Sequence, residues 1–99
     1  MSFEADFTAA ADEELDRAMT LGWAALSKLT PWGDTFAGFT PEGRDVCFER
    51  SYLWESETDG DIRVEVTVYE ERAYEDGVRH TRIIEKTPHA LGAGDGSNP

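Results

Sequence analysis

Residues 44–69, RDVCFERSYLWESETDGDIRVEVTVY, alternate apolar and polar side chains on both sides of a central turn. Most of the apolar members occupy even-numbered positions: Val46, Phe48, Tyr52, Trp54, Ile62, Val64, Val66 and Val68. A period of two is typical of a β-strand that buries one face and exposes the other. The stretch therefore predicts two antiparallel strands with a common apolar face.

Three short segments that end in glycine separate the predicted strands: Pro41-Glu42-Gly43, Thr58-Asp59-Gly60 and Glu75-Asp76-Gly77. Glycine closes a three-residue hairpin loop when a type I turn is followed by a left-handed residue. We therefore expect a four-stranded antiparallel meander with strands at about 34–40, 44–56, 61–74 and 78–87. The cross-strand pairs that these loops imply are Phe36 with Phe48, Trp54 with Val64, and Glu70 with Arg82.

A helix precedes the sheet. From Phe7 to Leu29 the apolar residues recur at helical spacing and occupy about half of the circumference, with acidic residues crowding the N-terminal half. Asp6 or Thr8 could cap the start, and Thr30-Pro31 ends the helix because the residue before proline avoids helical geometry. We expect an amphipathic helix over about 6–29 that packs on the sheet, giving an α+β fold. The alternative is a helix that binds a groove or forms a dimer.

The charge balance excludes some partners. The 99-residue chain has 21 acidic and 9 basic residues, a net charge of −12. Unaided binding to nucleic acid or to an anionic membrane is not expected, because phosphate contacts need basic residues. With one cysteine and no apolar run long enough to span a membrane, we expect a cytoplasmic protein. A single domain should occupy residues 1–88, and residues 89–99 should form a flexible tail.

Catalytic motifs are not evident in the sequence. Cys47 and His80 are placed far apart by the predicted register, and the two histidines and one cysteine have no metal-ligand spacing. The glycines after residue 91 lack the strand and helix that a nucleotide-binding loop needs. We therefore expect neither enzymatic activity nor a metal or cofactor.

Two groups of residues are candidates for binding a partner. The first is an acidic helix face, Asp12, Glu13 and Asp16. The second lies on the odd-numbered sheet face, where apolar residues are bordered by glutamates: Glu49, Leu53, Glu65, Tyr69, Glu71 and Ile83. Apolar anchors with a charged rim are common in protein interfaces, although acidic strand faces often serve only solubility.

A basic group lies beyond the apolar part of the even-numbered face: Arg50, Arg72, His80 and Arg82. In the predicted register Glu70 pairs with Arg82, so one interpretation is a solvated, salt-bridged end of the sheet. The alternative is a small cleft that binds an anionic group.

The favoured function is that of a non-enzymatic acidic protein that docks on a basic protein, for example a nucleic-acid-binding one. An array of carboxylates can take the place of phosphates in a basic groove, as in small inhibitors of phage or mobile-element type, of which anti-CRISPR proteins are an analogy. A small-ligand or enzymatic domain with the anion site, and a small virion or adaptor subunit, stay open. The exposed edges of the sheet would also allow a homodimer.

Overall fold

The alternating residues form strands close to where the sequence predicts them. The computed structural model describes residues 3–86. Within them the elements are α1 (Phe3–Ser27), β1 (Trp32–Phe39), β2 (Asp45–Trp54), β3 (Ile62–Glu70) and β4 (Ala73–Ile84). The strands form one antiparallel sheet in the order β1-β2-β3-β4, and α1 packs on one face. The predicted α+β fold is confirmed, whereas the tail predicted over 89–99 lies outside the described residues.

Helix α1 begins earlier than the sequence predicts. The Phe3 ring stacks on Phe7, with 6.0 Å between ring centroids, and the Arg44 guanidinium lies 4.3 Å from the Phe3 centroid. These contacts stabilise an additional helical turn at the N-terminus. Gly22 interrupts the regular geometry with φ of 79°, a left-handed value that glycine adopts at little cost. The chain leaves the helix after Ser27, where the Thr30 hydroxyl donates to the Leu26 carbonyl at 2.9 Å.

The core lies between α1 and the inner, even-numbered face of the sheet. Helix α1 lies over β3 and β4, and three small residues, Ala10, Ala11 and Ala18, are buried on its inner side. Small side chains allow the helix to approach the sheet closely. The sheet contributes a larger buried set: Val46, Phe48, Tyr52, Ile62, Val64, Val66 and Val68. The helix therefore packs on its own sheet, as expected.

The first two register predictions have different outcomes. Phe36 pairs with Phe48 as predicted, and Gly43 adopts φ of 87° in the β1–β2 turn. Between β2 and β3 the predicted register is wrong by two residues, because Trp54 pairs with Ile62 and not with Val64. The loop is longer than predicted, and Asp59, not the glycine after it, has the positive φ.

The predicted β3–β4 turn at 75–77 is wrong. The chain reverses at Glu71 and Arg72, so Glu70 pairs with Ala73 and Gly77 lies inside β4. Beyond an irregularity between Val68 and Glu70, the register differs from the predicted one by six residues. Both registers differ from the predicted ones by an even number of residues, so the same side chains face the core. The alternating pattern cannot detect a slip of this kind.

Gly77 provides a test of the β3–β4 register. A β-carbon at this position would lie 2.8 Å from both the Tyr69 β-carbon and the Val68 carbonyl oxygen. We predict that Gly77→Asn lowers the free energy of unfolding by about 1–3 kcal/mol through overpacking. Gly43→Asn is the matched control, because Gly43 faces open space with a left-handed φ that asparagine tolerates.

Urea denaturation of the two variants measures the difference. If Gly77 closed a left-handed loop, as the sequence predicts, both substitutions would have the same small effect. Equal losses would therefore contradict the observed register.

Candidate functional site

On the β4 side of α1, helix carboxylates meet bases of the sheet. Asp12 Oδ1 lies 3.2 Å from His80 Nδ1, and the Arg82 guanidinium lies 2.5 Å from Asp16 and 3.7 Å from Asp12. The observed register places His80 and Arg82 beside buried valines of β3, directly below the helix. Of the predicted acidic helix face, Asp12 and Asp16 are thus engaged within the protein. Glu13 is exposed and has no ion pair with any described residue.

On the other side of α1 a carboxylate is buried. The Glu14 side chain is only 4% exposed and forms ion pairs with Arg17 and with Arg50, whose Nη1 lies 3.5 Å away. Arg50 also donates two hydrogen bonds to the carboxylate of Asp34, at 2.9 and 2.7 Å. A buried carboxylate needs such partners, because the free energy lost when its charge leaves water would otherwise not be compensated.

The Arg50 guanidinium is fixed from several directions. It lies 4.6 Å from the Phe36 ring centroid and 5.2 Å from that of Trp32. Its hydrogen bonds lower the pKa of Asp34, and the same bonds raise the pKa of Arg50. Carboxylate and aromatic partners therefore hold the Arg50 side chain in one position, and its role is structural.

The four residues of the predicted anion site do not converge. Arg50 and His80 lie in one row on opposite sides of buried Val66. Arg50, His80 and Arg82 each contact a carboxylate of the protein. Arg72 is exposed in the β3–β4 turn, away from this group. The predicted pair of Glu70 with Arg82 is also absent, because Arg82 faces Val64.

Asp6 has a role that the sequence does not reveal. Its side chain is buried and accepts hydrogen bonds from the Thr40 hydroxyl at 2.5 Å, the Arg44 Nε at 3.1 Å and the Glu42 backbone N–H at 3.2 Å. Asp6 therefore binds the β1–β2 turn instead of capping its own helix. These partners are more than 30 residues away in the chain, so no local pattern could indicate them.

The predicted patch on the outer face is not contiguous. Leu53 and Ile83 lie in one row with Arg63 between them, whereas Tyr69 lies at the other end of β3. Several of the glutamates on this face also have partners. Arg63 forms ion pairs with Glu55 and Glu65, and Glu49 accepts a hydrogen bond from the Tyr74 hydroxyl at 3.0 Å. Glu71, the remaining member, lies in the β3–β4 turn.

Six of the carboxylates that have no side-chain partner among residues 3–86 lie together at one end of the sheet. The β1–β2 and β3–β4 turns lie side by side at this end, since β2 and β3 are neighbouring antiparallel strands. We call the following residues the acidic end: Glu42, Asp45, Glu70, Glu71, Glu75 and Asp76. Within residues 3–86, none of these carboxylates has an ion pair or a hydrogen bond with another side chain. Two bases lie among them, Arg72 and Arg44, and Arg44 is paired with Asp6.

A shallow cavity of about 380 Å³ opens beside the acidic end. Its lining combines apolar and acidic residues: Ala37, Gly38, Phe39, Asp45, Val46, Cys47 and Glu71. The Phe39 side chain is 67% exposed. An apolar wall next to two carboxylates suits a long basic side chain, whose methylene groups pack while its cation approaches the acid.

Within residues 3–86, Cys47 and His80 do not form a nucleophile–base pair. Cys47 lies on the outer face beside Tyr69, and His80 lies on the inner face against Asp12. Burial raises the pKa of the Tyr69 phenol, with smaller contributions from Cys47 and Glu49. No group of three potential metal ligands occurs in residues 3–86, and none of the helices described there is long and apolar enough to cross a membrane.

Comparisons with protein-family models, with curated protein sequences and with solved structures found no significant match. The function must therefore be argued from the geometry of this chain.

Glu13 and Glu14 form a matched pair for testing the ion pairs under the helix. We predict that Glu14→Gln lowers the free energy of unfolding by about 1–3 kcal/mol, because the partly buried Arg50 guanidinium loses a charged acceptor. Glu13→Gln should change it by less than about 0.5 kcal/mol, because Glu13 is exposed. Urea denaturation at neutral pH compares the two. Similar effects of both substitutions would show that Glu14 is not held as described.

Proposed function

We propose that this protein is a non-enzymatic interaction protein that docks on a basic protein through the acidic end. The observation behind the proposal is the separation of the acidic residues into two groups. Asp12, Glu14 and Asp16 of α1 pair with bases of the sheet, whereas the six carboxylates of the acidic end have no such partner within residues 3–86. Engaging the acidic end would therefore break no ion pair inside the protein.

Electrostatics favour this end as the docking surface. No cation of the protein compensates carboxylates without internal partners, and a cluster of one sign increases the local negative potential and speeds the approach of a cationic partner. The cavity beside Phe39 adds apolar area for the stem of an arginine or lysine. The acidic end thus offers both long-range attraction and a contact of defined shape.

The width of the acidic end fits a groove that binds nucleic acid. Neighbouring strands are about 4.8 Å apart, so carboxylates distributed over β2, β3, β4 and their turns extend across roughly 10 Å. Such an array can occupy positions that phosphates take in the basic groove of a nucleic-acid-binding protein. We therefore propose a cytoplasmic inhibitor of that class of protein, of the type made by phages or mobile elements. A ligand site at Arg50, His80 and Arg82 has less support, since carboxylates already contact these residues.

Two triple variants with the same change in charge test the proposal. Glu71→Gln/Glu75→Gln/Asp76→Asn neutralises the acidic end, and Asp12→Asn/Glu13→Gln/Asp16→Asn neutralises the helix face. We predict that the first weakens binding to an oligo-arginine peptide by about tenfold or more, and the second by less than about threefold. Isothermal titration calorimetry at low and physiological ionic strength measures both, with circular dichroism confirming that each variant is folded.

Equal weakening by the two triple variants would show that net charge alone acts and would contradict the acidic end as a docking surface. The natural partner is then sought by affinity capture from lysate of the host. A basic protein retained by the helix variant and lost by the acidic-end variant fits the proposal.

A further inference from the structure

Among residues 3–86, strand β1 is an edge of the sheet with one side open. The Thr40 N–H donates to the Arg44 carbonyl at 3.0 Å, and hydrogen-bonded pairs alternate along an antiparallel ladder. The backbone N–H and C=O groups of the even-numbered residues of β1 therefore form the hydrogen bonds to β2. The N–H and C=O groups of Gly33, Thr35, Ala37 and Phe39 consequently point away from the sheet, toward the open side.

This edge lacks the features that usually prevent strands from pairing. Strand β1 pairs with β2 over eight residues without a register shift, and it contains neither lysine nor proline. Strand β4, the opposite edge, has an irregularity near its start and several charged residues, among them Glu75, Asp76 and Arg79. Charges and bulges protect an edge, so β1 is the unprotected one.

The same segment is nearly free of charge. Asp34 is the one ionisable residue between Leu29 and Thr40, in a chain of which 30% is charged. Its carboxylate is neutralised by the two hydrogen bonds from Arg50. Two copies of a chain with net charge −12 repel each other over most of their surface. At β1 a second copy can approach without meeting like charge.

The β1 segment also has exposed apolar side chains near both ends, which antiparallel pairing with a second copy would bring together. Phe39 is 67% exposed at one end of β1, and Leu29 is 47% exposed just before the other end. Antiparallel pairing of two β1 strands centred on Thr35 or Phe36 places each Phe39 beside Pro31 or Gly33 of the second copy, close to its Leu29. In both registers Asp34 faces an uncharged residue of the second copy.

We infer that β1 pairs with β1 of a second copy, joining two sheets into one antiparallel sheet of eight strands. The pairing satisfies the open N–H and C=O groups and covers Phe39. Because the strands run in opposite directions, the two acidic ends point away from each other and stay accessible. The carboxylates of the acidic end stay free for the basic partner proposed above, whereas Phe39 is shared by the two contacts.

Matched substitutions at the two edges test the dimer. Thr35 and Thr81 are both exposed on the outer face, Thr35 in β1 and Thr81 in β4. Thr35→Lys brings like charges together in the paired edge, whereas Thr81→Lys makes the same change of charge at the other edge. Thr35→Pro removes an open-side N–H without changing the charge and leaves the bonds to β2 intact.

Sedimentation velocity over a range of concentrations gives the outcome. We expect the unmodified chain and Thr81→Lys to reach twice the monomer mass of 11.0 kDa, and Thr35→Lys and Thr35→Pro to remain at 11.0 kDa. A monomer for the unmodified chain at every concentration, or equal behaviour of the two lysine variants, would overturn the dimer.

Ionic strength separates the dimer from the docking on a basic partner. Salt screens the repulsion between two acidic copies, so the dimer should strengthen as salt is added. Binding of the oligo-arginine peptide should weaken under the same conditions. A dimer that dissociates in salt would contradict pairing at this uncharged edge.

Discussion

The structure depends on matching the carboxylates that α1 brings against the sheet. Asp6 and Glu14 are buried, and a buried carboxylate without partners would cost more than the fold can supply. Asp6 is matched by the β1–β2 turn and Glu14 by Arg50, so two points along α1 are tied to the β1–β2 half of the molecule. The apolar core then fixes the helix over β3 and β4.

The apolar core and the ion pairs contribute in different ways. Full burial of a side chain such as Val64 contributes about 1.5 kcal/mol or more, whereas a partly exposed pair such as Asp16 with Arg82 contributes at most about 1 kcal/mol. The pairs therefore orient α1 more than they stabilise it. They also engage bases of a chain that has few, which leaves the carboxylates of the acidic end without partners.

Much of the fold follows from local patterns, whereas the site does not. Alternation identifies the inner face of the sheet, and Pro41-Glu42-Gly43 gives the correct first turn. The turn at Glu71 and Arg72 has no glycine to indicate it, and Gly77 is required by close packing against Tyr69 instead. Slips of two and six residues leave the core side chains on their predicted face, so alternation could not expose either error. Only near the start of β4, where the ladder is irregular, does a side chain change face: Tyr74 contacts Glu49 and Tyr69 on the outer face.

The error in register is also what misplaces the candidate site. A slip of six residues moves Arg82 from a position opposite Glu70 to one below α1, where it pairs with Asp16. The helix acids then become structural, and Glu70 becomes unpaired. Long-range pairing between strands thus decides which charged side chains have no ion-pair partner. Composition gives only the total charge.

The central claim is that Asp12 and Asp16 of the helix are paired within the protein, whereas the carboxylates of the acidic end are not. It is tested most directly by comparing the free energies of unfolding of Asp12→Asn/Asp16→Asn and Glu75→Gln/Asp76→Asn at low ionic strength. Both variants lose two negative charges. The account predicts a lower stability for the helix variant, because ion pairs are lost, and an unchanged or higher stability for the acidic-end variant, because repulsion is relieved. A loss of stability in the acidic-end variant, or a gain in the helix variant, would contradict it.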